Sequence, residues 1–193
     1  LEGGMTLSLR GQIDRFDLTK EQDLYLVLDY KTGSTSLLLP EIRHGLKMQL
    51  LLYLFVVRSL LSDTETFPAG MLYAPVVNPV VKSDVRLDDH TLHQKVANGM
   101  VLTGMLIDDV EILKKIDKMS DHICISFNKG GSLSKSSAQF IRSREEFEQL
   151  LSYLPVLIRE TAEEILHGNI RVSPYRFQNR NACTFCADRK SVV

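Results

Sequence analysis

The sequence predicts an α/β protein built on a mixed β-sheet flanked by helices, and three observations predict it. Two strand-like segments joined by a polar turn fill residues 7 to 31. A helix with apolar residues around most of its circumference follows from about Glu41 to Ser62, and another short strand follows at Ala69 to Val76. Strand, strand, helix and strand in that order make a mixed sheet with a helix packed on it.

Each element has its own signal. Leu7, Leu9, Gly11 and Ile13 alternate with Ser8, Arg10, Gln12 and Asp14, a period-two strand with one polar face. After Asp14 the apolar phase passes to Phe16 and Leu18, so a bulge or the end of regular pairing is expected near Asp14. Lys20 to Asp23 is a polar turn. Leu24 to Lys31 is the second strand of the hairpin, apolar on both faces as far as Leu28, the pattern of a central strand covered on both sides. Leu46, Leu50, Tyr53, Val57 and Leu61 recur at helical spacing, and Pro40 stands where a first-turn proline is tolerated.

The middle region, 80–143, is less regular. It carries acids at Asp84, Asp88, Asp89, Asp108, Asp109 and Glu111, and a Gly/Ser-rich segment at 130–137 that reads as a loop or hairpin tip. Ser143 with Glu146 is a capping box. It opens a helix with the stripe Phe147, Leu150, Leu154, Ile158, Ala162 and Ile165, which Pro155 should bend and Gly168 should end. The tail from Ile170 is basic through Arg171, Arg176, Arg180, Arg189 and Lys190. The whole is expected to be one domain over 1–193, with a core at about 5–78, a middle region at 80–143 and a C-terminal helix with a cysteine-bearing tail at 144–193.

Composition narrows the function. A chain of 193 residues, 44% hydrophobic and 24% charged, can bury a real core, and its net charge of −1 gives no basic excess to announce a nucleic-acid partner. The longest apolar run, Leu50 to Val57, falls far short of the ~20 residues a membrane span needs, so no membrane association is expected. The opening Leu-Glu-Gly-Gly shows no secretory leader and lacks an initiator Met, and a piece of a longer chain is expected. With three cysteines, two of them in Cys183-Thr-Phe-Cys186, a disulfide framework is not expected. That pair reads as half a zinc knuckle, a redox pair or part of a cluster site.

The chemistry-bearing residues lie on the hairpin and the helix after it. Asp29 and Lys31 are two apart on a strand and leave the same face. A lone charge buried in Leu-Tyr-Leu-Val-Leu would cost several kcal/mol. A structural ion pair on an edge strand would offset part of that. A divalent cation held by Asp29, with Lys31 facing a substrate phosphate, explains it better on a central strand. Asp14 can approach Asp29 from the neighbouring strand, and two adjacent carboxylates repel unless a proton or a hard cation such as Mg²⁺ separates them. Gln49 and Tyr53 are stacked on one helical face, where they can reach a phosphate or a base. A tyrosine on a buried helix is otherwise core with a satisfied hydroxyl. His90 and His93 are read as surface residues, His44 and Asp17 as solvent-facing, and Cys124 as a buried strand thiol.

Gly11-Gln-Ile-Asp14, then Asp29-Tyr-Lys31, then Gln49-x-x-x-Tyr53 resemble the RecB-like branch of the PD-(D/E)xK nucleases in residue type, order and spacing. Pro68-Ala-Gly-Met-Leu-Tyr, Val80-Val-Lys-Ser-Asp, Gly131-Ser-Leu-Ser-Lys-Ser-Ser and Cys183-x-x-Cys186 extend the likeness to the C-terminal part of AddB-type (RexB-type) subunits of bacterial helicase–nucleases. The resemblance implies a restriction-endonuclease-like core. It implies that Asp14, Asp29 and the Tyr30 backbone carbonyl ligate Mg²⁺, with Mn²⁺ able to substitute, that Lys31 is the catalytic lysine, and that Gln49 and Tyr53 bind DNA.

It implies too an exonuclease cutting one DNA strand in the bacterial cytoplasm while an AddA-type helicase–nuclease partner unwinds the duplex for recombinational repair. Relatives of this type hold a [4Fe–4S] cluster with one upstream cysteine and three near the C-terminus. Cys183 and Cys186 match two of these, and Val192 stands where a third is expected. A cluster is therefore expected in the complete protein and not intact in this chain. The alternative is a catalytically silent nuclease fold that binds DNA or braces the helicase. The retained Asp-Asp-Lys set argues against it.

Overall fold

Short antiparallel pairing starts the sheet and longer strands complete it. In the computed structural model, β1 (Arg15–Leu18), β2 (Leu24–Lys31), β3 (Phe67–Pro75), β4 (Thr103–Ile107) and β5 (Ile141–Arg142) lie side by side in that order. The pairs alternate antiparallel, parallel, antiparallel and parallel, so the sheet is mixed, as expected. The residues described are 1–193 without 2–3, 22, 34–35, 63–64, 78, 118–121, 178–179, 182 and 184–193. The chain forms two compact units, residues 10–155 and residues 1–9 with 156–193.

The larger unit holds the sheet. The β2 strand has the predicted bounds and is central, between β1 and β3. On one face Tyr25, Val27, Asp29 and Lys31 stand beside Met71 and Tyr73 of β3 and Met105 and Thr103 of β4, as the register requires. The helix α2 (Gln49–Leu60) covers this face through Leu50, Leu51, Leu54 and Val57, and the Tyr25 hydroxyl donates to the Leu54 carbonyl at 3.2 Å. The other face carries Leu72 and Leu106 into a cluster with Leu113 of α4 (Val110–Ile116), Ile123, Ile125 and Ile141. The first turns of α5 (Arg144–Leu166) bury Phe147, Leu150, Leu151 and Leu154 at helical spacing. Its capping box is formed: the Ser143 N–H donates to Glu146 at 2.7 Å and the Glu146 N–H to Ser143 Oγ at 3.3 Å.

Several expectations need correction. Residues 5–14 form no strand, and Leu7 and Leu9 are 46% and 55% exposed. Pairing begins only at Arg15↔Leu28, because the Asp14 carboxylate accepts the Tyr30 N–H at 2.9 Å where a strand carbonyl would continue the ladder. Phe16 and Leu18 lie exposed on this edge strand. The single helix from Glu41 to Ser62 is two, α1 (Leu39–Arg43) and α2, with Pro40 in the first turn of α1. Gly45 breaks them at φ +73°: its N–H donates to Ile42 and that of Leu46 to Glu41, the left-handed glycine ending of a helix.

The irregular middle region supplies β4 and β5. Its acids are mostly helix caps: Asp88 accepts from the Thr91 N–H ahead of α3 (Asp89–Asn98), and Asp109 from the Glu111 and Ile112 N–H groups ahead of α4. The hairpin tip near 130 is present, with Gly131 at φ +79° and a bridge between Phe127 and Leu133. Cys124 is half-buried outside any strand, with burial pushing its thiol up. His90 and His93 lie exposed on α3, and His44 is exposed at the end of α1. Asp17 is not simply solvated, since Arg15 donates to both its carboxylate oxygens at 2.8 Å.

In the smaller unit α5 continues beyond Pro155 to Leu166. Gly168 at φ +66° ends it, and β6 (Arg176–Phe177) pairs antiparallel with β7 (Arg180–Asn181).

Close strand packing makes one glycine indispensable. A Cβ on Gly104 would stand 2.1 Å from the Met71 carbonyl oxygen and 2.9 Å from Leu72 Cα. Gly104→Ala is expected to lower stability by about 2–3 kcal/mol in urea unfolding. Gly130→Ala, which meets nothing within 4 Å, should stay within about 0.5 kcal/mol of the parent.

Candidate active site

The C-terminal end of β2 gathers the polar residues. Period-two geometry sends Asp29 and Lys31 out of the α2 face, where Lys31 Nζ lies 2.6 Å from Asp29 Oδ2. The Lys31 ammonium also donates to Gln49 Oε1 at 2.8 Å, and Gln49 Nε2 donates to the Tyr53 hydroxyl at 2.9 Å. The chain of contacts therefore runs carboxylate, ammonium, amide, phenol. The break at Gly45 makes Gln49 the first residue of α2 and presents its side chain to β2. Tyr53 is 8% exposed, and the backbone at Gly11 passes close enough that a Cβ there would touch its ring at 3.9 Å. The Gly11–Asp14 segment thus packs beside Tyr53, which explains a glycine at its head.

Asp14 stands on the neighbouring segment. Extending the register by one residue beyond Arg15↔Leu28 sets it opposite Asp29, and opposite residues of an antiparallel pair share a face. Its carboxylate is fixed from the β2 side by the Tyr30 N–H.

Three further residues join the site without a signal in the sequence. Tyr73 pairs in register with Asp29 on the parallel neighbour β3, and Lys31 Nζ lies 5.5 Å from its ring centroid. Burial first, then the charges of Asp29 and Glu41, push its hydroxyl up to about 12. Glu41, 4% exposed on α1, is 3.2 Å from Lys47 Nζ and accepts the Leu38 N–H at 3.3 Å. Thr103 pairs with Tyr73 and carries the row across to β4. A tyrosine, a first-turn acid and a threonine are ordinary residues of a strand or helix; only strand register and helix placement bring them here.

The donor set fits a hard divalent cation. Asp29 is 1% exposed, and its Oδ2 accepts no hydrogen bond, its ion pair with Lys31 aside. Among the described residues no three His, Cys, Asp or Glu side chains converge as a metal group. Two carboxylates with the Tyr30 carbonyl are a smaller set, and it suits Mg²⁺, which keeps several of its waters. Cys183 is half-buried and forms no disulfide; Cys186 lies outside the described residues. No helix among the described residues is long and apolar enough to cross a membrane.

A mixed sheet with an Asp–x–Lys pair at the end of its central strand, an acid opposite it and a Gln/Tyr helix above it defines a metal-dependent phosphodiesterase type of site. The family profile of the PD-(D/E)XK nuclease superfamily matches residues 1–191, and the chain belongs to that superfamily, with its restriction-endonuclease-like α/β core.

Within it the chain is similar to proteins named as the B subunit of an ATP-dependent helicase/deoxyribonuclease. It is 33% identical over 195 residues to that of Clostridium kluyveri (strain NBRC 12016). It is 34% identical over 194 residues to that of Thermoanaerobacter sp. (strain X514), and 34% over 198 to that of Clostridioides difficile (strain 630). In each case 96% of this chain is covered and 17% of the relative, so the chain spans about one sixth of their length.

A buried phenol with a raised pKa keeps its proton longer in the folded than in the unfolded chain. Stability is therefore expected to fall as pH rises from the ordinary tyrosine value of 10.0 towards about 12. Tyr25, raised by burial, adds to the decline. Urea midpoints measured across this interval should fall less steeply for Tyr73→Phe than for the parent.

Proposed function

We propose that this chain is the Mg²⁺-dependent nuclease domain of the AddB-type subunit of a helicase–deoxyribonuclease, cutting one DNA strand as an exonuclease while an AddA-type partner unwinds the duplex. The observation that carries the reading is the buried Asp29 carboxylate with Lys31 beside it, opposite Asp14, in a chain of the nuclease superfamily. The names of the relatives support the DNA substrate, the partner subunit and a place in double-strand-break repair, in the bacterial cytoplasm where the chromosome lies.

In this reading Asp14, Asp29 and the Tyr30 carbonyl hold Mg²⁺, and Mn²⁺ can replace it. When bound, the ion supplies Lewis-acid polarisation of the phosphodiester and a water of lowered pKa. Asp29 and Asp14 lend their negative charge to the ion and fix its place at the sheet edge. Lys31, whose side chain is 31% exposed against 2% for Asp29, turns its ammonium from the carboxylate towards the arriving phosphate and steadies the charge that develops on its oxygens. Gln49, exposed at the start of α2, holds Lys31 in position and lies beside the strand. Tyr53 holds Gln49 from behind, its hydroxyl accepting the amide hydrogen bond.

In the complete helicase–nuclease, Asp29→Ala and Lys31→Ala are expected to lower the cleavage rate at least about 100-fold with an unchanged melting temperature. Cleavage by these variants at the parent rate would overturn the reading. Calorimetric titration with Mg²⁺ or Mn²⁺ should show a site that Asp14→Ala and Asp29→Ala each abolish. A fold serving only to bind DNA or brace the helicase would show no such site.

A further inference from the structure

On the other side of Lys31 from Gln49 lies a cleft of about 250 Å³ at the ends of β2 and β3 and the start of β4. Lys31, Tyr73, Pro75, Val77, Val101 and Thr103 are among the residues that line it. Among the described residues lining the cleft, Lys31 is the one that carries a charge.

The register connects this cleft to the site. Asp29, Tyr73 and Thr103 are successive partners across β2, β3 and β4, so they form one row on the α2 face. With strands spaced about 4.8 Å apart, the row runs roughly 10 Å from Asp29 to Thr103. Asp14 extends the row at the other end. A phosphate at Lys31 therefore has the carboxylates on one side and a small neutral cleft on the other.

We propose that this cleft is a subsite for the base of the nucleotide adjoining the phosphate held by Lys31. The proposal rests on the nuclease reading above. The chemistry matches a nucleotide piece by piece. The ammonium takes the phosphate, and Pro75, Val77 and Val101 give an apolar wall for the face of a base. The Thr103 hydroxyl stands where a base edge needs a hydrogen-bonding group. The volume admits one base with its sugar and excludes a base pair, so the base that enters is unpaired. Base-to-wall contact of this kind tolerates every sequence, because each base presents an apolar face.

The test uses the complete protein with EDTA present and a single-stranded oligonucleotide carrying one photoreactive 5-iodouracil, moved a position at a time along the strand. Crosslinks to peptides containing Tyr73 or Val101–Thr103 are expected at one position. Val77→Glu, which sets a carboxylate at the half-exposed wall, should reduce them about 10-fold without changing the melting temperature. With Mg²⁺ present, an abasic site at that same position should slow cleavage of the adjoining phosphate about 10-fold.

Crosslinks found only elsewhere, an abasic site without effect at every position, or a Val77→Glu variant that crosslinks like the parent would each overturn the subsite. The crosslink needs no cleavage. The nuclease reading can therefore fail, through active Asp29→Ala and Lys31→Ala variants, while the subsite stands, and the reverse is equally visible.

Discussion

A carboxylate sealed inside a sheet is the constraint on which the rest of this structure turns. Asp29 is 1% exposed on the central strand, between apolar neighbours, and burying an unpaired charge there would cost several kcal/mol. Lys31 can answer it because two residues of extended chain return to the same face. The ammonium then needs its own position fixed, and Gln49 supplies that from α2 while Tyr53 fixes Gln49. Each partner is one step further from the charge and one step more ordinary as a residue. The order of dependence is physical: without the break at Gly45, Gln49 would lie inside a longer helix instead of at its first residue, and the support for Lys31 would be lost.

The edge of the sheet is shaped by the same need. Asp14 replaces the next rung of the β1–β2 ladder with a side-chain acceptor, so β1 is only four residues long. Ending the pairing there places a second carboxylate opposite the first, on the same face. A continued strand would have offered a backbone carbonyl to Tyr30 and left the acid to solvent. The cost is an apolar segment, Leu7 and Leu9 among it, left without a strand partner.

What was legible in the sequence is what depends on local period. Asp29 and Lys31 on one strand face, Gln49 and Tyr53 on one helix face, the capping box at Ser143 and the centrality of β2 all follow from spacing of two, three or four residues. What was illegible depends on register or on a single backbone angle. Tyr73 enters the site because it pairs with Asp29 across a parallel ladder, and no local pattern in Pro68–Pro75 encodes that register. Glu41 reads as an ordinary first-turn acid until the helix is placed. The alternation from Leu7 to Ile13 satisfied the pattern for a strand, yet a strand also needs a partner, which Asp14 withdraws. Gly45 interrupts an otherwise continuous helical stripe, and a glycine inside such a stripe weakens it by only about 1 kcal/mol, too little to decide the outcome from composition. The acids of the middle region looked like a cluster because they are near in sequence; as caps of separate helices they serve separate backbone groups.

The unequal exposure of the ion pair argues for its use. A pair kept for stability gains little from burial, since two well-packed apolar residues would serve at least as well in a central strand. At the surface it would be worth about 1 kcal/mol or less. Here the acid is sealed while nearly a third of the lysine side chain reaches solvent. That geometry holds the negative charge still and leaves the positive charge within reach of an incoming anion. Tyr73 beneath the ammonium favours the cation without neutralising it, as a third carboxylate in that place would. An arrangement that retains a costly anion, braces its cation by neutral groups and opens that cation towards a neutral cleft has the properties of a receptor for a phosphate with something flat and uncharged attached.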